Sequence, residues 1–431
     1  LGWWNKKIID MAENFDSLST LLQLVQPGLT PDELYALASQ PNQAEWQALI
    51  AEAELQDVAP FLYTLLLDLS KSHGLEIPQK ERLHQAYLST AARNMLALHD
   101  TEIILNALQE AGLPAAGLKG IYLLEQVYPT IAARSMSDID ILIKKQDLAA
   151  CIRLMKNLGY IPDTYFNLED ENLDIKHLPP MMKPGSPAVE AHWTLLEEHE
   201  PFTIDIEALW ERMLAAKIAN VEVLSLGVED LVLHLCLHLT YQHYLQLGLR
   251  SLLDIALVLH KYREEIDWDK LVQIANTWGA ERVTALTLKL LESHLNAAIP
   301  QEVYPALMPE GIESALLEQA RRQLLERERF ADRFTPDLLE LSANKGLFSK
   351  IKIGLQRVFL PRLTLARLYN VPPDSPKIAG LYFVRLKYLV RNYGRTLLRL
   401  QSGADGVETA RQKAEISNSL HSWLTQHRED N

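Results

Sequence analysis

Apolar positions recur at helical spacing through the first hundred residues. The stretch 44–69 is interrupted only by Pro60, which divides it into two helices near Asp57. Asp57 is placed to cap the second helix, with Pro60 in a first turn, where a missing N–H is tolerated. Val58, Phe61, Leu62, Leu65 and Leu66 then repeat with the period of a helix. Pro78 marks a boundary. A long helix over 81–111 aligns Leu83, Tyr87, Ala91, Met95, Leu98, Leu105 and Leu108 on one stripe, and Gly112 stands where such a helix stops.

The pattern then changes period. Residues 114–118 read as a short strand, Lys119-Gly120 as a tight turn and 121–127 as a helix. Asp138, Ile139, Asp140 and Ile141 alternate acid with aliphatic, the signature of a strand over 138–143. A helix over 146–158 stops at Gly159, and 160–166 and 188–193 are further strands. Strands alternating with helices over about 110 residues define one α/β-type module. From about Val228 the chain returns to helix, with 231–245 and 249–260 as a buried pair and 312–333 as a charged surface helix. The longest uncharged run, 231–249, carries His234, His238, Gln242, His243 and Gln246. A bilayer core would penalise these groups, so no transmembrane segment is expected. No repeat of fixed period is present. The expected architecture is α+β and helix-dominated: an N-terminal helical region (1–95), a small core with a mixed sheet (96–225), a helical region (226–344) and a basic C-terminal helical region (345–431).

Composition narrows the class. The 431 residues are 48% hydrophobic and 23% charged, which excludes wholesale disorder, a collagen-like repeat and a disulfide scaffold. Cys151 and Cys236 lie far apart without metal-type spacing, as in a reducing compartment. The opening residues lack a signal-peptide pattern, and a cytoplasmic location is the expectation. The net charge of −14 argues against a protein that coats nucleic acid with its whole surface. That charge is uneven, because residues 345–399 hold twelve Lys or Arg and one acid, Asp374.

Candidate chemistry sits on the 138–143 strand. Residues two apart on a strand share a face, so Asp138 and Asp140 project side by side while Ile139 and Ile141 enter the core. Two carboxylates this close repel unless a cation lies between them, and hard divalent ions such as Mg²⁺ suit the oxygen pair. A third carboxylate has to come from a neighbouring strand, and Glu190 is the best placed. The bland alternative makes Asp138 a turn residue and Asp140 a solvated one. Upstream, Gly117-Leu118-Lys119-Gly120 departs from a P-loop, since no Ser or Thr follows Lys119. It still offers a strand, a glycine turn and a helix start whose N–H groups can bind phosphate. Lys119 and Arg134 would add positive charge beside a triphosphate.

These residues together resemble a known family. Leu118-Lys119-Gly120, Arg134, Asp138-Ile139-Asp140, His177-Leu-Pro-Pro and Val189-Glu190-Ala191-His192-Trp193 resemble the little-characterised bacterial nucleotidyltransferases, which are similar to the palm of the DNA polymerase beta superfamily. The resemblance continues through Leu226-Gly-Val-Glu-Asp-Leu, the segment 233–239 and Leu252-Leu253-Asp254-Ile255, and reaches back to Arg93-Asn94. It covers about residues 40–265. It implies that Asp138, Asp140 and Glu190 hold catalytic metal, with two Mg²⁺ ions expected. Gly117, Lys119 and Gly120 would replace the superfamily's Gly-Gly or Gly-Ser turn, and Arg134, Ser137 and His192 would complete the nucleotide side. The chain departs from the pattern in lacking a Ser after Gly120 and in a longer gap from Gly120 to Asp138. The implied activity is transfer of an NMP group from an NTP to a small molecule, an RNA end or a protein hydroxyl. The competing reading is a catalytically silent nucleotide- or RNA-binding protein that keeps the fold.

Other polar features have bland readings beside the functional ones. His192 shares a strand face with Glu190 and either fixes it, touches substrate or is a core imidazole. His177, before Pro179-Pro180, is similar. His234 and His238 stand four apart, as metal ligands can, yet without an evident third ligand they read as buried structural histidines. In the basic region, Ser375 and Pro376 start a helix on which Lys387, Arg391, Arg395 and Arg399 form a ridge. Like charges at that spacing repel. The ridge therefore serves as an internal partner for the acidic remainder, as a nucleic-acid surface or as a membrane-facing surface.

Overall fold

The protein is described by a computed structural model covering residues 15–163, 175–326, 359–369, 371–372, 374–401 and 419–425. Its first helices begin where the sequence supplies caps. Asp16 caps α1 (Ser17–Leu24), Thr30 and Glu33 close a capping box on α2 (Pro31–Ala38), and Asn42 and Glu45 do so on α3 (Gln43–Leu55). Each box gives orphaned backbone N–H groups an oxygen acceptor. α4 (Ala59–His73) carries Pro60 in its first turn, as expected. Asp57 does not cap it. The cap position is Val58, without a side-chain bond, and Asp57 adopts a left-handed backbone (φ 59°). Its carboxylate instead accepts from the Ser135 hydroxyl at 2.6 Å and pairs with Arg250 at 2.8 Å. Charged tertiary partners outcompete a local cap.

α5 (Lys80–Glu110) is the long helix, closed by Gly112 at positive φ. Its buried side differs from the expected stripe. Met95 is 62% exposed, while Thr90, Asn94, Ala97 and Thr101 face inward between Leu83 and the apolar end at Ile104, Leu105 and Leu108. The middle turns cover a polar loop, so polar residues occupy the inner face there.

The mixed sheet runs β3 (Ile161–Pro162), β4 (Met181–Met182), β5 (Ala188–His192), β2 (Asp138–Ile143), β1 (Ala115–Gly117), β7 (Val221–Ser225), β6 (Leu214–Ile218). β2 is antiparallel to β1 and parallel to β5, and β1 is parallel to β7. Among the described residues this makes an α+β, helix-dominated protein. Between β1 and β2 lies α6 (Lys119–Gln126), and after β2 comes α7 (Leu148–Asn157). The helix starts at Lys119 itself, with φ 39°, so Lys119 and Gly120 form its first turn rather than a separate tight turn. The β6–β7 hairpin was not legible in sequence. Leu214-Ala-Ala-Lys-Ile holds a single β-branched residue, and its turn relies on Ala219 and Asn220, both at positive φ. Of the expected strand over 160–166, β3 is the part seen, and 164–166 lie outside the described residues.

The helical side beyond the sheet contains α8 (Ile206–Glu211), α9 (Val228–Cys236), a π-helical turn (Leu237–Gln242), α10 (Leu249–Lys261), α11 (Trp268–Trp278), α12 (Glu281–Leu295), α13 (Val303–Leu307) and α14 (Ser314–Leu325). The expected buried pair is α9 and α10. Leu231, Leu233, Leu252, Leu253 and Ile255 are buried in it. One apolar core runs from Leu21 through the sheet to Leu325 and takes in Leu420 and Leu424. α15 (Arg362–Leu368) and α16 (Ile378–Gln401) share a small separate core of Leu365, Ala366 and Ile378. Ser375 Oγ accepts from the Lys377 N–H just ahead of α16. Lys387 is exposed on α16, and the side chains of Arg391, Arg395 and Arg399 lie outside the described residues. No helix among the described residues is long and apolar enough to cross a membrane.

Candidate active site

The site is built on two adjacent parallel strands. In their register Asp138 lies opposite Ala188 and Asp140 opposite Glu190. Ile139, Ile141 and Val189 are fully buried beneath, which fixes which face the acids take, because a one-residue slip would bury the carboxylates in the apolar core. Asp138 is half-buried and Asp140 buried. His192, two residues past Glu190, completes the cluster.

The electrostatics separate the two aspartates. Asp140 is buried, which by itself raises its pKa. The Lys119 ammonium at 3.0 Å and the His192 Nε2–H at 2.9 Å, both on Oδ1, outweigh burial and hold the carboxyl well below the usual range. Among the described residues Asp138 accepts from the Ser137 hydroxyl, at 3.0 Å. Burial and the neighbouring Asp140 charge raise its pKa. Glu190 lies 3.5 Å from His192 Nε2 and 3.7 Å from His177 Nε2, and the His192 contact lowers its pKa. The donor atoms of Asp140, Glu190 and His192 all lie within 4.8 Å of one another, close enough to share one ion. Two carboxylates with an imidazole suit a divalent cation, so the residues fit a metal. His234 and His238 belong to no such group among the described residues. Their ring centroids are 6.4 Å apart, His234 is buried, and His238 Nδ1 meets Gln242 Oε1 at 3.2 Å.

Above the strands opens a cavity of about 730 Å³, a volume that accommodates a nucleotide. Its lining includes Asp138, Asp140, Lys119, Gly120, Arg134 and Ser137. Glu190, Gly117 and His192 are not in that lining. Gly117 serves packing: a Cβ there would require the Ile218 Cδ1 methyl to shift. At Gly120 a Cβ would stand 3.0 Å from Arg134 Nη1 and 3.1 Å from Met136.

Arg134 is buried and committed to Asp254, with Nε–Oδ1 at 2.8 Å and Nη2–Oδ2 at 2.9 Å. Burial disfavours its charge, but the Asp254 carboxylate holds the guanidinium firmly protonated. Tyr128 donates to the same carboxylate at 2.7 Å, and Asn94 Nδ2 donates to the carbonyls of Ile131 and Arg134 at 2.6 Å each. This network joins α5, α10 and the loop that delivers Asp138.

The resemblance takes in Arg93, His238 and Asp254 but assigns no part in the site to the helical walls of the cavity. Asp57, Arg93, Leu96, Leu235, His238, His243, Arg250 and Asp254 all line it. The usable signal was Arg250 and Asp254 four apart on a helix that is apolar from Leu249 to Leu259 apart from them and Ser251, since charges in such a setting require partners.

Residues 42–296 match the model of a family described as an uncharacterised nucleotidyltransferase. The match spans more than half of the chain, and the protein belongs to that family. No curated protein and no solved structure matches the chain.

Proposed function

We propose that the protein is a Mg²⁺-dependent nucleotidyltransferase that moves an NMP group from an NTP to an acceptor hydroxyl in the 730 Å³ cavity. The observation that supports this best is the placement of Asp140 opposite Glu190 on parallel strands, with Asp138 two residues away at the cavity floor. Asp138, Asp140 and Glu190 hold the metal, with His192 fixing the orientation of Asp140. Bound metal, two ions in this reading, supplies charge neutralisation on the triphosphate and activation of the attacking oxygen.

The residues do the rest. N–H groups at the start of α6 and the Lys119 ammonium bind phosphate oxygens. Ser137 and Arg134 frame the nucleotide. The Asp or Glu nearest the acceptor hydroxyl orients it and takes its proton. The acceptor oxygen bonds to the α-phosphorus, the α–β anhydride bond breaks, and pyrophosphate leaves with the electron pair.

One observation favours the alternative, a silent nucleotide-binding protein: Asp140 already has an internal cation, Lys119, at 3.0 Å. The two readings separate in one assay. The protein and an Asp138→Asn, Asp140→Asn variant are incubated with each α-labelled NTP, Mg²⁺ and cell extract. Label entering a small molecule, RNA or protein with the wild type alone supports transfer and gives the acceptor class. NTP binding without label transfer supports the silent reading.

A further inference from the structure

Four cationic side chains line the cavity: Arg93, Lys119, Arg134 and Arg250. Three are neutralised internally. Lys119 pairs with Asp140 at 3.0 Å, Arg134 with Asp254 at 2.8 Å, and Arg250 with Asp57 at 2.8 Å. Arg250 also stands 3.8 Å from Asp254. Arg93 is the exception. Among the described residues no carboxylate lies within ion-pair distance of it, and its one described contact is a long bond to Thr90 Oγ1 at 3.4 Å.

Its mounting is rigid although its head is exposed. The next residue, Asn94, is buried and binds two carbonyls of the 131–134 loop, tying this turn of α5 to the segment that leads into Asp138. Leu96, three residues on, lines the same cavity, so this face of α5 is a wall of the site. A guanidinium held this way suits a phosphate group, which it meets with two parallel N–H donors.

We infer that Arg93 binds the terminal phosphate of the nucleotide and makes the site selective for triphosphates over diphosphates. The inference rests on the nucleotidyltransferase reading above and extends it to a residue outside the sheet module. Lys119 is already occupied beside Asp140 at the sheet, which leaves Arg93, on the helical wall, as the lining cation to meet a further phosphate. Selectivity of this kind matters chemically, because the leaving group of nucleotidyl transfer is pyrophosphate only when the donor is a triphosphate.

The test is equilibrium binding by calorimetry with Mg²⁺, using the non-hydrolysable α,β-methylene triphosphates of the four nucleosides and the matching diphosphates. Wild type, Arg93→Gln and Asp138→Asn are compared. Arg93 is exposed, so the substitution leaves the fold intact, which circular dichroism checks. The expected result is a wild type that prefers a triphosphate, and an Arg93→Gln variant that loses at least about tenfold on the triphosphate, about 1.4 kcal/mol. Its affinity for the diphosphate stays within about twofold. An unchanged preference in Arg93→Gln, with binding lost in Asp138→Asn, overturns the role of Arg93 and leaves the function standing. A wild type that binds neither nucleotide overturns both.

Discussion

Arg134 and Asp254, 120 residues apart in sequence, meet through two hydrogen bonds of 2.8 and 2.9 Å in the protein interior. The pair joins the loop entering β2 to α10, so the helical region helps place the candidate active site. Removing one partner leaves an uncompensated buried charge. Asp254→Asn is expected to destabilise the protein by about 3–5 kcal/mol, read from the urea midpoint. Replacement of both residues by apolar ones of similar size should recover much of that loss.

Among the described residues, Asp140 accepts from both Lys119 and His192, and Asp138 from Ser137 alone. Asp138→Asn removes little internal bonding and should lower the Tm by no more than a few degrees while abolishing metal-dependent nucleotide binding. Asp140→Asn also leaves the half-buried Lys119 ammonium without its counter-charge and should cost more stability. Calorimetric Tm values for the two variants, with and without Mg²⁺, check the order.

The glycines flanking Leu118 serve different ends. A methyl group at Gly117 requires the Ile218 Cδ1 methyl, on the β6–β7 hairpin, to shift. Gly117→Ala is expected to cost about 1–3 kcal/mol through overpacking. At Gly120 the nearest atoms belong to Arg134 and Met136, at 3.0 and 3.1 Å. Gly120→Ala should therefore perturb nucleotide affinity more than stability. Denaturation curves and nucleotide titrations of the two variants distinguish the cases.

Burial lowers the pKa of His234 and His238 well below the usual imidazole value, and that of His243 to about 4. The nearby Lys119 ammonium acts in the same direction at all three. In the folded state these rings stay neutral where the unfolded chain takes up protons. Stability from this source is fully present above about pH 6.5, the unfolded value, and is lost as the pH falls toward the folded values. A Tm that declines between pH 7 and 5, less steeply in His243→Asn, is the expected outcome. A flat Tm over that range would contradict it.

Much of the site was legible because it is local. Asp138-Ile139-Asp140 announces its strand by alternation, and register then follows from burying Ile139 and Ile141. Glu190 was found the same way, as an acid in an apolar strand, and it proves to sit opposite Asp140. Helix ends at Gly112 and Gly159 and the break near Pro60 were equally readable, since backbone stereochemistry restricts where such residues fall. The inner face of α5 was misread at Met95, because periodicity reports where apolar residues are and not what they face.

What the sequence alone determined, then, is most of the helices, the strands that carry the acids, the α+β class and the paired acids themselves, all consequences of spacing within a few residues. Only the tertiary structure decided the partners. It drew Asp57 away from a helix cap to Ser135 and Arg250, committed Arg134 to Asp254, set Lys119 on Asp140, and left Arg93 lining the cavity with no carboxylate beside it among the described residues. Charge pairing in a folded chain is set by distance through space and by burial, which raises the cost of every unpaired group. Neither quantity can be read from positions along the chain.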